Sequence, residues 1–126
     1  MKINIKATGI ELTSAIEAYL NEKLAHVEKF ITETEREIAR AEVNLSKTTR
    51  HHKHGDFFKA EITLPLGGRS LHVSANTDDL YAAIDKMQDE IISEIKRWHG
   101  KRHTLLRRGG RKIKNMLRSI NPWKRQ

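Results

Sequence analysis

The sequence predicts an α+β domain of the order β-α-β-β-β-α, with a four-stranded sheet that carries two helices on one face. Four segments alternate apolar and polar residues, as half-buried strands do. Two longer segments repeat apolar residues every three or four positions, as amphipathic helices do. Because every strand has one apolar face, we expect both helices to cover that face. The opposite face should be exposed to water and carries Arg40, Glu42, Asn44, Lys59, Glu61, His72 and Ser74.

The first strand spans residues 2–8 and ends at a glycine. Ser14 and Glu17 have the spacing of a capping box, in which the two residues cap each other's backbone at the start of a helix. The apolar stripe that follows predicts a helix over about residues 13–30. We expect residues 33–37, which are mostly charged, to form a connector.

The remaining strands are expected at residues 39–46, 58–64 and 70–75. The last two are joined by Gly67-Gly68, a pair that favours a two-residue hairpin turn. The second helix has the clearest periodicity in the chain, with an apolar stripe over residues 80–98 that includes Trp98. Thr77 or Asp78 is expected to cap its first turn.

A segment of different composition begins at Arg107. Gly109-Gly110 predicts a hinge, and the apolar spacing within residues 111–120 predicts a short basic amphipathic helix. A helix of about ten residues is marginal alone in water, so we expect this segment to be flexible until it meets a partner. Asn121-Pro122 should end the helix. Trp123, which follows, is the aromatic residue best placed to stack on a base or enter a membrane surface.

Charge divides the chain into two parts. The first 94 residues contain all 16 acidic residues and 12 of the 24 basic ones, whereas the last 32 residues contain the other 12 basic residues and no acidic one. Such asymmetry indicates a polyanion as partner, because each Lys or Arg placed on a phosphate releases condensed counterions. A solvated basic tail without a specific role is the alternative.

The motifs of common enzyme classes are missing from the sequence. It has no cysteine, no glycine-rich phosphate loop, no nucleophile elbow and no His-Glu-x-x-His pattern. We therefore expect no catalysis, no small-molecule substrate and no cofactor. The N-terminal segment alternates polar and apolar residues, and no apolar run approaches the length of a membrane span, so we expect a cytoplasmic protein.

Two groups of ionisable residues have a structural interpretation as well as a functional one. The acidic residues near the second helix are best explained by helix capping and solubility, and they are Asp78, Asp79, Asp85, Asp89 and Glu90. His51, His52 and His54 fit a polar loop better than a metal site, because their spacing matches no closed structural site. With Arg50 and Lys53 they form a patch that could contact phosphate.

Three stretches carry a resemblance to a known family. They are INIK at residues 3–6 leading to GIELT at 9–13, KAEITLP at 59–65, and ANTDDLYAAID at 75–85, the last being the most specific. Together with the order of elements they resemble the ribosome hibernation promoting factor and ribosome-associated inhibitor family, once called sigma-54 modulation proteins. The resemblance covers about residues 1–104, which we expect to form one domain, with residues 105–126 as a basic, flexible extension.

The resemblance implies a fold akin to a double-stranded RNA-binding domain and binding to ribosomal RNA of the small ribosomal subunit. The domain would occupy the decoding channel, block messenger and transfer RNA, and silence idle ribosomes without catalysing a reaction. We expect a monomer away from the ribosome. Two alternatives stay open, a general RNA-binding module and a peripheral membrane protein held by the basic tail.

Basic residues on both helices match family positions, namely Lys23, Lys29, Arg97 and Lys101. Glu90 and Ser93 stand where family members commonly have Lys and Arg. Lys86, about one turn earlier, is expected to substitute for the missing charge in part, and the positive charge shifts toward the helix end. The predicted RNA-binding residues are Lys23, Lys29, Lys53, Lys86, Lys96, Arg97, Lys101, Arg102, Arg107 and Arg108.

Overall fold

The computed structural model describes the backbone of residues 1–49 and 56–120 and the side chains of residues 1–48 and 57–103. Four strands of this part form one sheet in the order β1-β2-β3-β4. The strands are β1 (Lys2–Thr8), β2 (Arg40–Thr49), β3 (Asp56–Leu66) and β4 (Arg69–Thr77). The helices are α1 (Ser14–Glu28), α2 (Glu33–Ile38) and α3 (Leu80–Ile120). The predicted α+β class is confirmed, with α2 as an additional short helix.

The sheet is mixed. Strand β1 lies parallel to β2, with Ile5 opposite Val43, and the crossover between them contains α1 and α2. The β2–β3 and β3–β4 pairs are antiparallel. The predicted hairpin turn is confirmed, because Gly67 and Gly68 have φ values of 39° and 89°. Glycine adopts such positive φ angles without the steric penalty that a Cβ atom brings.

The first compact unit, Met1–Ile95, contains a core built from one face of the sheet and the apolar stripes of α1 and α3. Its fully buried side chains include Leu20, Leu24, Val27, Leu45, Ile62, Leu64, Ile84, Met87, Ile91 and Ile95. Residues that alternate with the buried strand residues, such as Glu42, His72 and Ser74, are exposed. The predicted two-faced sheet is therefore confirmed.

The residue that caps α1 differs from the predicted one. The hydroxyl of Thr13 accepts the backbone N–H of Ile16 at 3.2 Å, and Ser14 is already the first helical residue. Thr13 has the extended backbone of a capping residue, with φ −76° and ψ 160°. The predicted capping box at Ser14 is wrong by one position, because adjacent Thr and Ser residues are chemically equivalent caps. The helix ends at Glu28, two residues before the predicted end.

The cap of α3 is also shifted. The carboxylate of Asp79 accepts the backbone N–H of Ala82 at 3.1 Å, and the helix begins at Leu80. Neither Thr77 nor Asp78 is the cap, so this prediction is wrong. The Thr77 hydroxyl instead accepts the N–H of Asp79 at 3.2 Å and so orients the capping residue itself.

Residues 33–37, predicted to be a connector, belong to α2. A complete capping box starts this helix. The Thr32 hydroxyl accepts the N–H of Glu35 at 3.1 Å, and the Glu35 carboxylate accepts the N–H of Thr32 at 2.8 Å. Glu35 is buried. The connector prediction is wrong because the two reciprocal hydrogen bonds stabilise a helix that is too short to show an apolar period.

Helix α3 continues through Gly109 and Gly110 to Ile120, so the predicted hinge is wrong. Glycine costs about 1 kcal/mol relative to alanine inside a helix, but the Leu, Arg and Lys residues around it are good helix formers. The predicted end of this helix at Asn121-Pro122 lies outside the described residues. The second compact unit begins at Lys96. A domain boundary at residue 104 and the flexibility of residues 105–126 stay predictions. In the described part of the chain, no helix is both long and apolar enough to cross a membrane.

Candidate nucleic-acid interface

A groove of about 470 Å³ lies between α1 and α3 in the first unit, on the side of the helices away from the sheet. It is lined by Glu22, Lys23, Ala25, His26, Lys29 and Gln88. Five of these residues lie on α1 or at its C-terminal cap, where steps of three and four positions place them along one side of the helix. Lys23 and Lys29, which the sequence predicts to bind RNA, therefore line the same groove.

Four residues beside this groove form a cluster that joins α1 to α3, and we call Tyr19, Lys23, Tyr81 and Asp85 the Asp85 cluster. The Tyr19 hydroxyl donates to Oδ1 of Asp85 at 2.5 Å, and Nζ of Lys23 lies 3.4 Å from the same oxygen. The Lys23 ammonium also lies 5.0 Å from the centre of the Tyr19 ring. The rings of Tyr19 and Tyr81 meet edge to face, with centroids 4.9 Å apart.

The cluster raises the pKa values of two of its members. The hydrogen bond to Asp85, together with burial and the carboxylate charge, raises the pKa of Tyr19. Partial burial acts to lower the pKa of Lys23, but the hydrogen bond and charge of Asp85, with a contribution from Tyr19, outweigh it and raise that pKa. Near neutral pH, Tyr19 is therefore a neutral donor and Lys23 is a cation held beside a carboxylate.

The outer face of the sheet has a different charge character. A groove of about 520 Å³ on this face is lined by Asn4, Ile5, Lys6, Glu42, Val43, Asn44, Glu61 and Thr63. Within it, Glu61 lies 3.1 Å from Nζ of Lys59 and 3.7 Å from Nε2 of His72. Two carboxylates and one lysine line this groove, whereas one carboxylate and two lysines line the groove between the helices, so the outer face is the less suited of the two to a polyanion. The surface of α1 and α3 that contains the groove between them, here called the helix side, is the better candidate for nucleic-acid binding.

A family model described as sigma 54 modulation protein / S30EA ribosomal protein matches residues 3–103. The chain belongs to this family. The resemblance identified from the sequence is thus confirmed over four fifths of the chain, which includes α1, the sheet, the Asp85 cluster and the groove between the helices.

Named relatives support the same family. A ribosome hibernation promoting factor of Pseudomonas putida is 30% identical over 106 residues, which cover 84% of this chain and 94% of the relative. A ribosome hibernation promotion factor of Lactococcus lactis is 28% identical over 98 residues, 78% of this chain. This chain spans about half of the length of the Lactococcus relative, since the match covers 49% of it.

Solved structures support the fold. The N-terminal domain of Protein Y from Thermus thermophilus matches with a TM-score of 0.64 and 30% identity, covering 78% of this chain and 99% of that domain. A ribosomal subunit interface protein from Coxiella burnetii matches with a TM-score of 0.65, covering 79% of this chain and 99% of that chain. At 16% identity, the second match shows a shared fold alone.

The other predicted RNA-binding residues are distributed along the chain. Lys86 is exposed on α3 in the first unit, one turn from Glu90, and Ser93 on the following turn is also exposed. Exposed basic residues of the second unit lie at the start of its helical segment and are Lys96, Arg97, Lys101 and Arg102. Arg107 and Arg108 belong to α3, but their side chains lie outside the described residues. Lys53, the three neighbouring histidines and Trp123 also lie outside the described residues.

Asp85 is the functional candidate that sequence reasoning missed. The sequence alone assigns it to helix capping and solubility, an interpretation that fits Asp79, the cap, and the exposed Asp89. Asp85 instead bonds to two residues of another helix. The four-residue spacings of Tyr19 with Lys23 and of Tyr81 with Asp85 place each pair on one helix side. They do not reveal that the two pairs face each other, because that depends on how the helices pack.

Proposed function

We propose that this protein is a ribosome hibernation factor that works in the cytoplasm. It binds ribosomal RNA of the small subunit in the decoding channel and sterically prevents messenger and transfer RNA from occupying it. The observation that carries the proposal is the match of residues 3–103 to a family whose named relatives include ribosome hibernation factors. The function is one of binding and obstruction, and no step of it requires a chemical reaction.

The helix side is the proposed contact surface of the first unit. Lys23 and Lys29 line the groove between α1 and α3, and Lys86 is exposed on α3. Lysine is a compact point charge suited to phosphate oxygens, and the groove supplies a concave edge against which an RNA backbone can lie. The carboxylates in the outer groove of the sheet make the opposite face the less favourable one.

The second unit supplies further charge. Lys96, Arg97, Lys101 and Arg102 have exposed side chains on two successive turns of α3. In the first unit, Glu90 and Ser93 stand at positions where the family resemblance implies basic residues. We propose that the basic residues at 96–102 supply phosphate contacts that compensate for this loss, because phosphate contacts add affinity with little dependence on nucleotide sequence.

The proposal is tested by sedimentation of the protein with small ribosomal subunits through sucrose gradients at several salt concentrations. The double variant Lys29→Gln with Lys86→Gln removes two charges from the helix side. We expect weaker binding and a slope of log affinity against log salt that is shallower by about 1 for each lost phosphate contact. The wild-type protein should move with the subunit and inhibit translation in an extract.

The matched control is Lys2→Gln with Lys6→Gln. Both lysines are exposed on β1, so this variant removes the same charge from the sheet side. Its binding to the subunit should show the wild-type slope of log affinity against log salt. Equal losses of subunit binding in both double variants would contradict the assignment of the helix side as the contact surface. Wild-type protein that stays at the top of the gradient at low salt would contradict the proposed function itself. Comparable affinity for any RNA duplex of similar length would favour a general RNA-binding module.

A further inference from the structure

Lys23 is not a free cation in the unbound protein. Its ammonium lies 3.4 Å from Oδ1 of Asp85, and the same oxygen accepts the Tyr19 hydroxyl at 2.5 Å. Tyr19 and Lys23 come from α1, one turn apart, whereas Asp85 comes from α3. The carboxylate is thus anchored by the tyrosine and holds the lysine against α3.

This arrangement can open. The side chain of Asp85 is 48% exposed and that of Lys23 is 28% exposed. Ion pairs at such exposed sites contribute little to stability, so Lys23 can exchange Asp85 for another anion. The Tyr19 hydroxyl remains as a donor to Asp85 after Lys23 leaves, and it keeps the carboxylate in place.

An RNA phosphate at Lys23 has to displace Asp85 and then remain close to a fixed negative charge. A phosphate that binds through Lys23 alone gains little binding free energy. It takes the place of the Asp85 carboxylate at Lys23 and is still repelled by that carboxylate. An RNA that also contacts Lys29 and the groove has additional interactions that offset this cost. The carboxylate therefore weakens binding through isolated phosphates more than binding through a complete surface.

We propose that Asp85 is a specificity-determining residue, which holds Lys23 in the unbound protein and so disfavours RNA that does not fit the whole helix side. The inference rests on the proposed function, since it assumes that the helix side is the surface that binds RNA. The ligand in this proposal is RNA.

The direct test is Asp85→Asn, assayed by fluorescence anisotropy with a labelled uridine homopolymer. The amide keeps the shape of the side chain and an oxygen that accepts from Tyr19, but it removes the charge. We expect the homopolymer to bind about fivefold more tightly at low salt, the effect of one unit charge about 4 Å away in water. The slope of log affinity against log salt should steepen by about 0.7, because Lys23 gains a single-strand phosphate.

The matched control is Asp89→Asn, which makes the same change in net charge one turn further along α3. The Asp89 carboxylate is exposed and accepts a hydrogen bond from the Gln88 amide at 3.1 Å. Equal tightening by both variants would show a general charge effect and overturn the proposal. Unchanged homopolymer binding by Asp85→Asn would overturn it as well.

A double-mutant cycle tests whether Asp85 acts through Lys23. In a Lys23→Gln background, the tightening of homopolymer binding by Asp85→Asn should fall to the size that Asp89→Asn produces. A tightening of undiminished size would contradict the proposal. Thermal melting of each variant checks that the fold is retained. The homopolymer assay contains no ribosome, so a failure of Asp85→Asn to act is distinguishable from a failure of the protein to sediment with the small subunit.

Discussion

Tyr19 illustrates how one side chain connects folding with the candidate interface. Its hydroxyl donates to Asp85, its ring packs against Tyr81, and the Lys23 ammonium lies over the ring. The phenol thus links α1 to α3 within the first unit and sets the position of a predicted RNA-binding lysine. Because both Tyr19 and Lys23 have raised pKa values, neither should lose its proton until the pH is alkaline.

We predict that Tyr19→Phe lowers the free energy of unfolding by about 1 kcal/mol at neutral pH, the net value of a typical hydrogen bond. A raised pKa in the folded protein contributes stability that is complete below the pKa of the unfolded chain and is lost as pH rises through the folded pKa. The difference between wild type and Tyr19→Phe should therefore begin to shrink at about pH 10 and be lost as pH rises through the folded pKa. Urea denaturation from pH 7 to pH 11 measures it.

The control for this prediction is Tyr81→Phe, which keeps the ring that packs against Tyr19. A pH-dependent loss of equal size in Tyr81→Phe would assign the effect to something other than the hydrogen bond to Asp85. A difference between wild type and Tyr19→Phe that stays constant to pH 11 would contradict the link to ionisation.

Among the elements, α2 shows what a capping box can do without an apolar stripe. The helix has six residues, fewer than two turns, and an isolated helix of this length does not form in water. Two reciprocal hydrogen bonds between Thr32 and Glu35 stabilise its first turn, and Glu35 is buried. The helix lies in the crossover between β1 and β2, so its stability bears on the parallel strand pair that the crossover connects.

We predict that Thr32→Ala lowers the free energy of unfolding by about 1 kcal/mol, because the N–H of Glu35 loses its acceptor. Thr34→Ala is the matched control, since Thr34 is an exposed residue inside the same helix. Chemical denaturation of both variants measures the difference. Equal destabilisation by the two variants would mean that the cap is not the source of the effect.

Periodicity explains which elements the sequence could predict. The four strands and the stripes of α1 and α3 follow from alternation and from three- and four-residue steps, because burial against a single core selects apolar residues at those positions. Caps are harder to predict, since neighbouring Thr, Ser and Asp residues differ by one position and not in chemistry. Helix α2 lacks a decisive period, and the glycines at 109 and 110 hide the continuity of α3 with the helix predicted at residues 111–120. The Asp85 cluster depends on packing between helices, which no spacing within one helix encodes.

For the whole molecule, the division of charge nearly coincides with the division into compact units. The last acidic residue is Glu94, and the second unit begins at Lys96. The first 94 residues have a net charge of −4, whereas the remainder contains twelve basic residues and no acidic one. Attraction to a polyanion should therefore come mainly from the second unit, and the first unit should contribute shape and selectivity through its groove and Asp85.

We predict that deletion of residues 107–126, which removes eight basic residues, weakens binding to the small ribosomal subunit and flattens its salt dependence. The slope should become shallower by about 0.7 to 0.9 for each phosphate that the segment contacts. Sedimentation at several salt concentrations measures both quantities. A second variant with the same eight residues changed to glutamine separates charge from chain length, and it should behave like the deletion if the segment acts through phosphates.

Anionic vesicles distinguish this role from the membrane alternative. Binding of the full chain to vesicles that is lost on deletion, with subunit affinity and slope unchanged, would assign the segment to a membrane surface and contradict the ribosomal role. If the glutamine variant retains subunit binding while the deletion loses it, the apolar residues of the segment make the contact, and a charge-based role is wrong. A loss of subunit binding in both variants is the expected result, because eight clustered cations release counterions wherever RNA phosphates lie within reach.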